Sequence, residues 1–94
     1  MSRIAQYIEA AERDNTRRSY AAAIRHFEVE WKGLLPTTAD ATSRYLADHA
    51  ATLAISTLRQ RLAALSRWHV DHGFTDPTKA PLVRQVLKGI RSIH

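Results

Sequence analysis

The sequence predicts an all-α protein, a compact bundle of four to five helices. Apolar residues recur at helical spacing along the chain, and no segment alternates with the period of two that a half-buried strand requires. Neither Asn-Gly nor Asp-Gly, the dipeptides that mark tight hairpins, occurs anywhere. The stretches between the periodic segments are short, as a compact helical bundle requires.

Two helices are predicted before residue 33. The first covers about residues 2–13, and its apolar face is formed by Ile4, Tyr7, Ile8 and Ala11. Asn15 or Thr16 is expected to cap the second helix, because both side chains accept hydrogen bonds from the free amides of a first turn. The apolar residues of this helix are spaced by four, three and four: Tyr20, Ile24, Phe27 and Trp31.

A glycine and a proline separate the second predicted helix from the third. Gly33 is expected to end the second helix, and Leu34 is expected to fold back on its last turn. Pro36 prevents the helix from resuming. Thr37 or Thr38 is the predicted cap of the third helix. The apolar positions of that helix are Tyr45, Leu46, Ala50 and Leu53.

Two more helices complete the predicted bundle. Ser56 is the expected cap of the fourth, whose core residues again follow the spacing four, three, four: Leu58, Leu62, Leu65 and His69. Gly73 is expected to end this helix, with Phe74 returning to contact its last turn. The fifth helix is expected to begin near Thr78 or at Pro81. Its apolar stripe comprises Val83, Val86, Leu87, Ile90 and Ile93.

Length and composition bound the class of protein. The chain has 94 residues, so we expect a single domain over residues 1–94. It has no cysteine, which excludes disulfides and thiolate metal sites. The sequence shows no signal peptide and no long apolar run. A cytoplasmic protein without a membrane partner is therefore expected.

The charge of the chain is positive and unevenly distributed. The net charge is +5, and three segments each contain three cationic residues and no acid. These segments are residues 15–27, 55–70 and 80–94, whereas residues 1–14 and 38–54 are slightly acidic. This asymmetry favours a polyanionic partner on one side of the molecule.

Two predicted helices carry basic faces opposite their apolar stripes. On the second helix this face comprises Arg17, Arg18, Ala22 and Arg25. On the fourth helix it comprises Thr57, Gln60, Ala64 and Arg67, flanked by Arg59 and Arg61. Arginine binds phosphate or guanine with two hydrogen bonds, and glutamine binds adenine in the same way. We expect neither face to carry an acid that pairs with its arginines, which favours double-stranded DNA as the partner.

No other pattern in the sequence indicates chemistry. His69 and His72 are three residues apart, but no carboxylate or cysteine pattern completes a metal site, so His69 is interpreted as a half-buried core residue. Glu28 and Glu30 diverge on a helix and do not form a paired-carboxylate site. Glycine-rich phosphate loops and serine-nucleophile motifs do not occur. We expect no catalytic residue, no metal or other cofactor and no small-molecule substrate.

Five short motifs follow one another along the chain. They are Thr16 before a helix with an aromatic stripe, Thr37 with Asp40 and Tyr45-Leu46, Ser56-Thr57-Leu58 with Leu62, Leu65 and His69, Gly73 with Asp76-Pro77, and Val86-Leu87-Lys88-Gly89-Ile90-Arg91. In this order they resemble the N-terminal core-binding domain of tyrosine recombinases, the phage integrase group that includes Cre-type enzymes. The resemblance covers essentially the whole chain.

This resemblance implies a SAM-like helical bundle that forms half of a C-shaped clamp around a recombination site. Two crossed helices, over residues 15–32 and 56–72, would lie on the DNA near the major groove. The implied DNA contacts are Arg17, Arg18, Arg25, Thr57, Arg59, Gln60, Arg61 and Arg67, with Lys88 and Arg91 near the interdomain linker. The first and last helices are implied to contact other recombinase protomers and the linker.

The catalytic half of such an enzyme is not found in this sequence. The family cuts DNA with a tyrosine assisted by two arginines, a lysine and a histidine, and no His-x-x-Arg motif occurs here. The chain is therefore expected to be non-catalytic, either a piece of a longer recombinase or a short stand-alone protein. Its last residue falls where the interdomain linker is expected, which favours the first alternative, a piece of a longer recombinase.

Three other classes of function are alternatives to DNA binding. A helical protein–protein interaction module would use the basic surface to bind acidic partners. A small all-helical enzyme would need convergent ionisable groups in a cleft, and the sequence offers none. A helix-turn-helix repressor would need a short turn before the fourth helix, and the sequence lacks that turn.

Overall fold

The structure consists of helices joined by short connections. The computed structural model describes residues 2–94, and these form four α-helices, a π-helical turn and a 3-10 turn. In chain order they are α1 (Arg3–Arg25), the π-helical turn (His26–Glu30), α2 (Ala39–His49), α3 (Ile55–Asp71), the 3-10 turn (Pro77–Lys79) and α4 (Pro81–Ile93). The described residues contain no strand, so the prediction of an all-α bundle is confirmed. None of the described helices is both long and apolar enough to cross a membrane.

The first two predicted helices form one continuous helix, α1. The prediction of a second N-cap at Asn15 or Thr16 is wrong, because both residues lie in the interior of α1. Asn15 Oδ1 instead accepts a hydrogen bond from Arg18 at 2.7 Å. Residues 3–25 contain neither glycine nor proline, the two residues that break a helix most strongly. The N-cap of the whole helix is Ser2, whose hydroxyl accepts a hydrogen bond from the Ala5 amide at 3.2 Å.

The apolar face in the N-terminal half of α1 lies outside the core. Ile4, Tyr7 and Ile8 are 71 %, 75 % and 55 % exposed. α1 packs against α3, and its buried residue, Ala23, lies near the C-terminal end of the helix. The helical spacing of the apolar residues is therefore right, but this face contributes little to the burial that stabilises the fold.

The helical segment ends at Glu30, with Trp31 as its cap, so the predicted stop at Gly33 lies beyond its end. Lys32 adopts the left-handed conformation, with a φ of 64°, and the Gly33 amide donates to the Phe27 carbonyl at 2.8 Å. Gly33 is required for space, because a Cβ at this position would collide with the Phe27 ring. Leu34 does not fold back as predicted and is exposed, whereas Leu35 packs against the core.

Replacing Lys32 with glycine is expected to stabilise the protein. A non-glycine residue in the left-handed conformation is disfavoured by roughly 1–2 kcal/mol, and the greater freedom of glycine in the unfolded chain offsets part of this gain. We expect the free energy of unfolding of Lys32→Gly to rise by about 0.5–1 kcal/mol in urea titrations. Lys32→Ala, which keeps the Cβ, is the matched control and should show no gain. A Lys32→Gly protein no more stable than the wild type would contradict this account.

Two clusters of buried side chains form the core, and α3 contributes to both. The first cluster joins α2, α3 and α4: Leu46, Leu58, Val83 and Ile90. The second joins the π-helical turn, α2 and α3: Phe27, Tyr45 and Leu65. The apolar stripes predicted for the last three helices are buried in these clusters or packed against them, except for Ile93, which is exposed. α3 is therefore the central helix of the bundle.

His69 connects α3 to the segment that precedes α2. It is fully buried, so the prediction of a half-buried core residue understates its burial. Its Nδ1 lies 2.7 Å from the Leu65 carbonyl oxygen, and its Nε2 accepts the Thr37 amide at 3.0 Å. The tautomer with a proton on Nδ1 satisfies both contacts. Because both ring nitrogens are engaged within the protein, His69 is a structural residue.

Three of the predicted helix termini are confirmed. The Thr38 side chain caps α2, Pro81 is the first residue of α4, and Gly73 ends α3 with a φ of 77°. The predicted cap at Ser56 is wrong, because the cap position of α3 is occupied by Ala54 without any side-chain hydrogen bond. Ser56 lies instead in the first turn of that helix.

Candidate nucleic-acid interface

The contact between α1 and α3 decides which of the predicted DNA-binding residues are free. The Gln60 side chain donates through Nε2 to the Ser19 hydroxyl and carbonyl oxygens, at 2.8 and 3.2 Å. Ala64 is buried and borders a cleft together with Tyr20 and Ile24 of α1. The face of α3 predicted to approach DNA therefore lies partly against α1. Gln60 bridges the two helices, and its amide donor is engaged there.

The sequence shows only one of the two faces through which α3 packs. Its leucines mark the face towards α2 and α4, which periodicity identifies directly. The face towards α1 includes the small Ala64 and the polar Gln60. Such residues also occur on solvent-exposed helix faces, so their burial follows only from the position of α1.

The arginines of α3 point in different directions. Side chains two positions apart on an α-helix diverge by about 200°, which separates Arg59 from Arg61. Arg59 is exposed, whereas Arg61 is partly buried and borders a pocket with Arg25 and His26. These two arginines therefore belong to different surfaces of the molecule. Arg59 has no ion pair within residues 2–94.

Acids pair with two of the predicted DNA contacts, contrary to the expectation that neither basic face carries one. Arg18 contacts Asp14 at 3.0 Å, and Arg67 contacts Asp71 at 3.1 Å. In both pairs the acid lies one helical turn from the arginine on the same helix. Asp14 and Asp71 fall just outside the acid-free segments, residues 15–27 and 55–70, so a count of charges by segment does not reveal the two pairs. All four side chains are largely exposed, so each pair stabilises the fold by only a few tenths of a kcal/mol (about 0.3–0.5). A phosphate group can compete with such a carboxylate.

The C-terminal helix presents an additional basic stripe. Arg84, Lys88 and Arg91 follow the spacing four, three and border one shallow groove of about 540 Å³. α4 contains no acid, and none of the three cations has an ion pair within the described residues. Lys88 and Arg91 are predicted DNA contacts, whereas Arg84 was missed. The signal for Arg84 was present in the spacing, because residues four apart share one face of a helix.

A second polar feature, which we call the π-turn pocket, lies where the π-helical turn meets α3. It has a volume of about 330 Å³ and is lined by Ala22, Arg25, His26, Glu30 and Arg61. The Arg61 Nε is buried and has no hydrogen-bond partner within residues 2–94. Sequence reasoning predicted Arg25 and Arg61 as DNA contacts but did not group them with His26. The grouping depends on the packing of three separate segments.

Two titrating side chains beside the π-turn pocket are perturbed. His26 Nδ1 and the Tyr45 hydroxyl are 2.6 Å apart, and the His26 and His49 rings lie 5.0 Å apart. Burial lowers the pKa of His26, and the charges of Arg61 and His49 lower it further, with Glu30 opposing them. Burial raises the pKa of Tyr45, against the opposing effect of Arg61. These shifts favour the neutral forms of His26 and Tyr45, which leaves Arg25 and Arg61 as the cations at this junction.

Comparison with known proteins identifies no family for this chain. No family model, no curated protein and no solved structure matches the chain. Within residues 2–94, no group of three or more histidine, cysteine, aspartate or glutamate side chains is arranged to hold a metal ion. The fold and the surface together therefore define a small helical protein with an unbalanced basic charge.

Proposed function

We propose that this chain is the DNA-binding module of a site-specific tyrosine recombinase or integrase. It would bind the core recombination site on double-stranded DNA, together with other recombinase protomers. It would carry no catalytic residue of its own and would position a catalytic domain that lies outside this sequence. The proposed setting is the cytoplasm, where such a module meets DNA.

The observation that carries this proposal is the surplus of unpaired cations on three helices. Arg17 and Arg25 on α1, Arg59 on α3, and the basic stripe of α4 have no ion pair within residues 2–94. Duplex DNA carries one phosphate charge about every 1.7 Å along its axis, so it can contact several separated cations at once. The choice of recombinase among DNA-binding proteins is supported by the order of the sequence motifs.

The contacts of this module are proposed to fall mainly on the DNA backbone. Gln60, the predicted adenine contact, donates a hydrogen bond from its amide nitrogen to the Ser19 hydroxyl. Arg18 and Arg67 each have a carboxylate partner. The remaining cations are well suited to phosphates, which position a protein on DNA but carry no sequence information. We therefore expect the isolated chain to bind duplexes of unrelated sequence with similar affinity.

Reversing the charge of Arg17 and Arg25 together tests the contribution of α1. Both side chains are exposed and lack an ion pair, so the double variant Arg17→Glu/Arg25→Glu should keep the helical circular dichroism spectrum. Its affinity for duplex DNA is expected to fall by about 10–100-fold at low salt, because two phosphate contacts become repulsive. Fluorescence anisotropy measures this loss directly.

The matched control is Arg44→Glu, which reverses a charge on α2. Arg44 is exposed and pairs with Asp40 at 3.1 Å, so it belongs to none of the proposed contact surfaces. A folded Arg17→Glu/Arg25→Glu variant that binds DNA like the wild type would rule out α1 as a contact element. An equal loss in both proteins would indicate a general effect of net charge.

A protein–protein interaction module is the second candidate function. It is favoured by the exposed apolar side chains of Ile4, Tyr7 and Ile8 on α1. Chemical-shift mapping with a DNA duplex separates the two candidates. Shifts concentrated on residues 17–25, 57–67 and 84–91 would support DNA binding. The absence of shifts in all three regions at low salt would favour the protein-binding function.

A further inference from the structure

The π-turn pocket is bordered by two cations on different helices, Arg25 of α1 and Arg61 of α3. The Nε of Arg61 is buried and has no hydrogen-bond partner within residues 2–94. Leaving such a donor unsatisfied is unfavourable, so buried donors without a partner are uncommon in native structures. The adjoining turn is π-helical, a local geometry that recurs at functional sites. Two independent features therefore point to the same pocket.

The groups that line the pocket define the chemistry of a ligand that would fit it. Arg25 and Arg61 contribute two guanidinium groups, and His26 contributes a ring whose Nδ1 is already engaged with Tyr45. The Nε2 of His26 is thus the ring nitrogen left for a further partner. Glu30 is the only carboxylate among the residues that line the pocket. Paired guanidinium groups favour a tetrahedral oxyanion over a neutral ligand.

We propose that the π-turn pocket binds a single phosphate group between Arg25 and Arg61, with His26 as a third contact. Two sources share this chemistry, namely a phosphodiester of a DNA backbone and a free phosphate compound. The first source rests on the DNA-binding function proposed above, whereas the second does not. Glu30 limits the affinity, because its carboxylate competes with the anion for the same cations.

Binding at this site should be linked to the protonation of His26. The groups that face His26 are Arg61 from α3, Tyr45 and His49 from α2, and Glu30 from its own turn. Burial and the charges of Arg61 and His49 lower the pKa of His26, so the ring binds its proton only below its ordinary range. An anion beside the ring favours the protonated form and raises that pKa. By linkage, the affinity for the anion must increase as the pH falls through the titration of His26.

The test is an NMR titration of the full chain at constant ionic strength. Two probes are used, inorganic phosphate and dimethyl phosphate, the latter because its charge does not change over the pH range of the experiment. We expect saturable shifts of the Arg61 side-chain NH signal and the His26 ring signals. Arg61→Gln should weaken binding about tenfold or more, and Glu30→Gln should strengthen it severalfold. Arg44→Gln, a change on α2 at a residue that pairs with Asp40 away from the proposed contact surfaces, is the matched control and should leave the titration unchanged.

The same variants distinguish the two sources when duplex DNA replaces the small probes. If the phosphate belongs to the backbone, Arg61→Gln loses DNA affinity and Glu30→Gln gains it. If the site takes a free phosphate compound, both variants bind DNA like the wild type while their phosphate affinities change. The absence of saturable shifts in the wild type and in Glu30→Gln would overturn the site, whatever happens with Arg61→Gln.

The failure of the site and the failure of the proposed function remain separate results. A wild-type chain that binds DNA but not phosphate, with Arg61→Gln unaltered on DNA, removes the pocket and leaves the DNA-binding function standing. A chain that binds phosphate in the pocket but shows no affinity for duplex DNA overturns the DNA-binding function. In that case the free phosphate compound is the ligand, and the pocket is retained.

Discussion

Raising the salt concentration from about 50 to 200 mM is expected to lower the affinity of this chain for duplex DNA by about 10²–10³, given roughly 4–6 neutralised phosphates. The unpaired cations on α1, α3 and α4 supply this number of contacts. Each contact releases a condensed counterion, and that release becomes less favourable as bulk salt rises. The size of the effect follows from the number of neutralised phosphates, each of which adds about 0.9 to the magnitude of the slope of log affinity against log salt. The predicted adenine contact, Gln60, is held by Ser19.

Fluorescence anisotropy over a series of salt concentrations measures the slope of log affinity against log salt. Lys88→Gln should reduce the magnitude of that slope by about 1, because it removes one phosphate contact. Arg44→Gln is the matched control, since Arg44 pairs with Asp40 away from the proposed surfaces, and its slope should equal that of the wild type. Affinity that stays flat across this range would exclude a backbone-directed DNA-binding module.

Truncating Phe27 to alanine is expected to destabilise the protein by about 3–5 kcal/mol. The ring is fully buried and lies 5.0 Å from the Tyr45 ring and 5.2 Å from the Trp31 ring, between centroids. Its other side is closed by Gly33, where no Cβ can be accommodated. A cavity here would be bordered by aromatic rings and backbone that cannot collapse fully into it. The truncation should therefore lose the transfer free energy of the ring, and the cavity that remains should destabilise the protein further.

Urea unfolding monitored by circular dichroism measures this loss. Because a domain of this size is stable by only about 5–15 kcal/mol, we expect a large fraction of Phe27→Ala molecules to be unfolded at modest urea concentrations. Val29→Ala, on the same turn, is the matched control, because Val29 is 53 % exposed and should change stability by less than about 0.5 kcal/mol. Equal stabilities for the two variants would contradict the assignment of Phe27 to the core.

The elements of the fold were largely predictable, and the errors share one cause. Apolar spacing identified the core of α2, α3 and α4, and side-chain or backbone signals identified the termini at Thr38, Gly73 and Pro81. The false break at Asn15 arose because an asparagine can cap a helix or lie inside one. Its hydrogen bond to Arg18 within the helix makes the second alternative acceptable. A local signal that two structures satisfy equally well cannot distinguish between them.

The candidate site was less predictable than the fold. The positions of the cations along each helix follow from the sequence, and they give the basic stripe of α4 directly. Whether each cation is paired or buried does not follow from the sequence, because pairing and burial depend on neighbours in other turns and other helices. Arg61 illustrates the difference, since its pocket brings together the π-helical turn and α3. Sequence alone grouped it with Arg59, which lies on another surface.

The amino-acid sequence by itself determined the helical class, the leucine face of α3 and the excess of positive charge, because periodicity and composition are local properties. Only the tertiary structure decided that α1 is one helix lying across the second face of α3, with Gln60 held against Ser19. It also decided that Arg61 is enclosed beside His26 while Arg59 remains exposed. These outcomes depend on contacts between residues far apart in the chain, where small differences in packing energy select one arrangement.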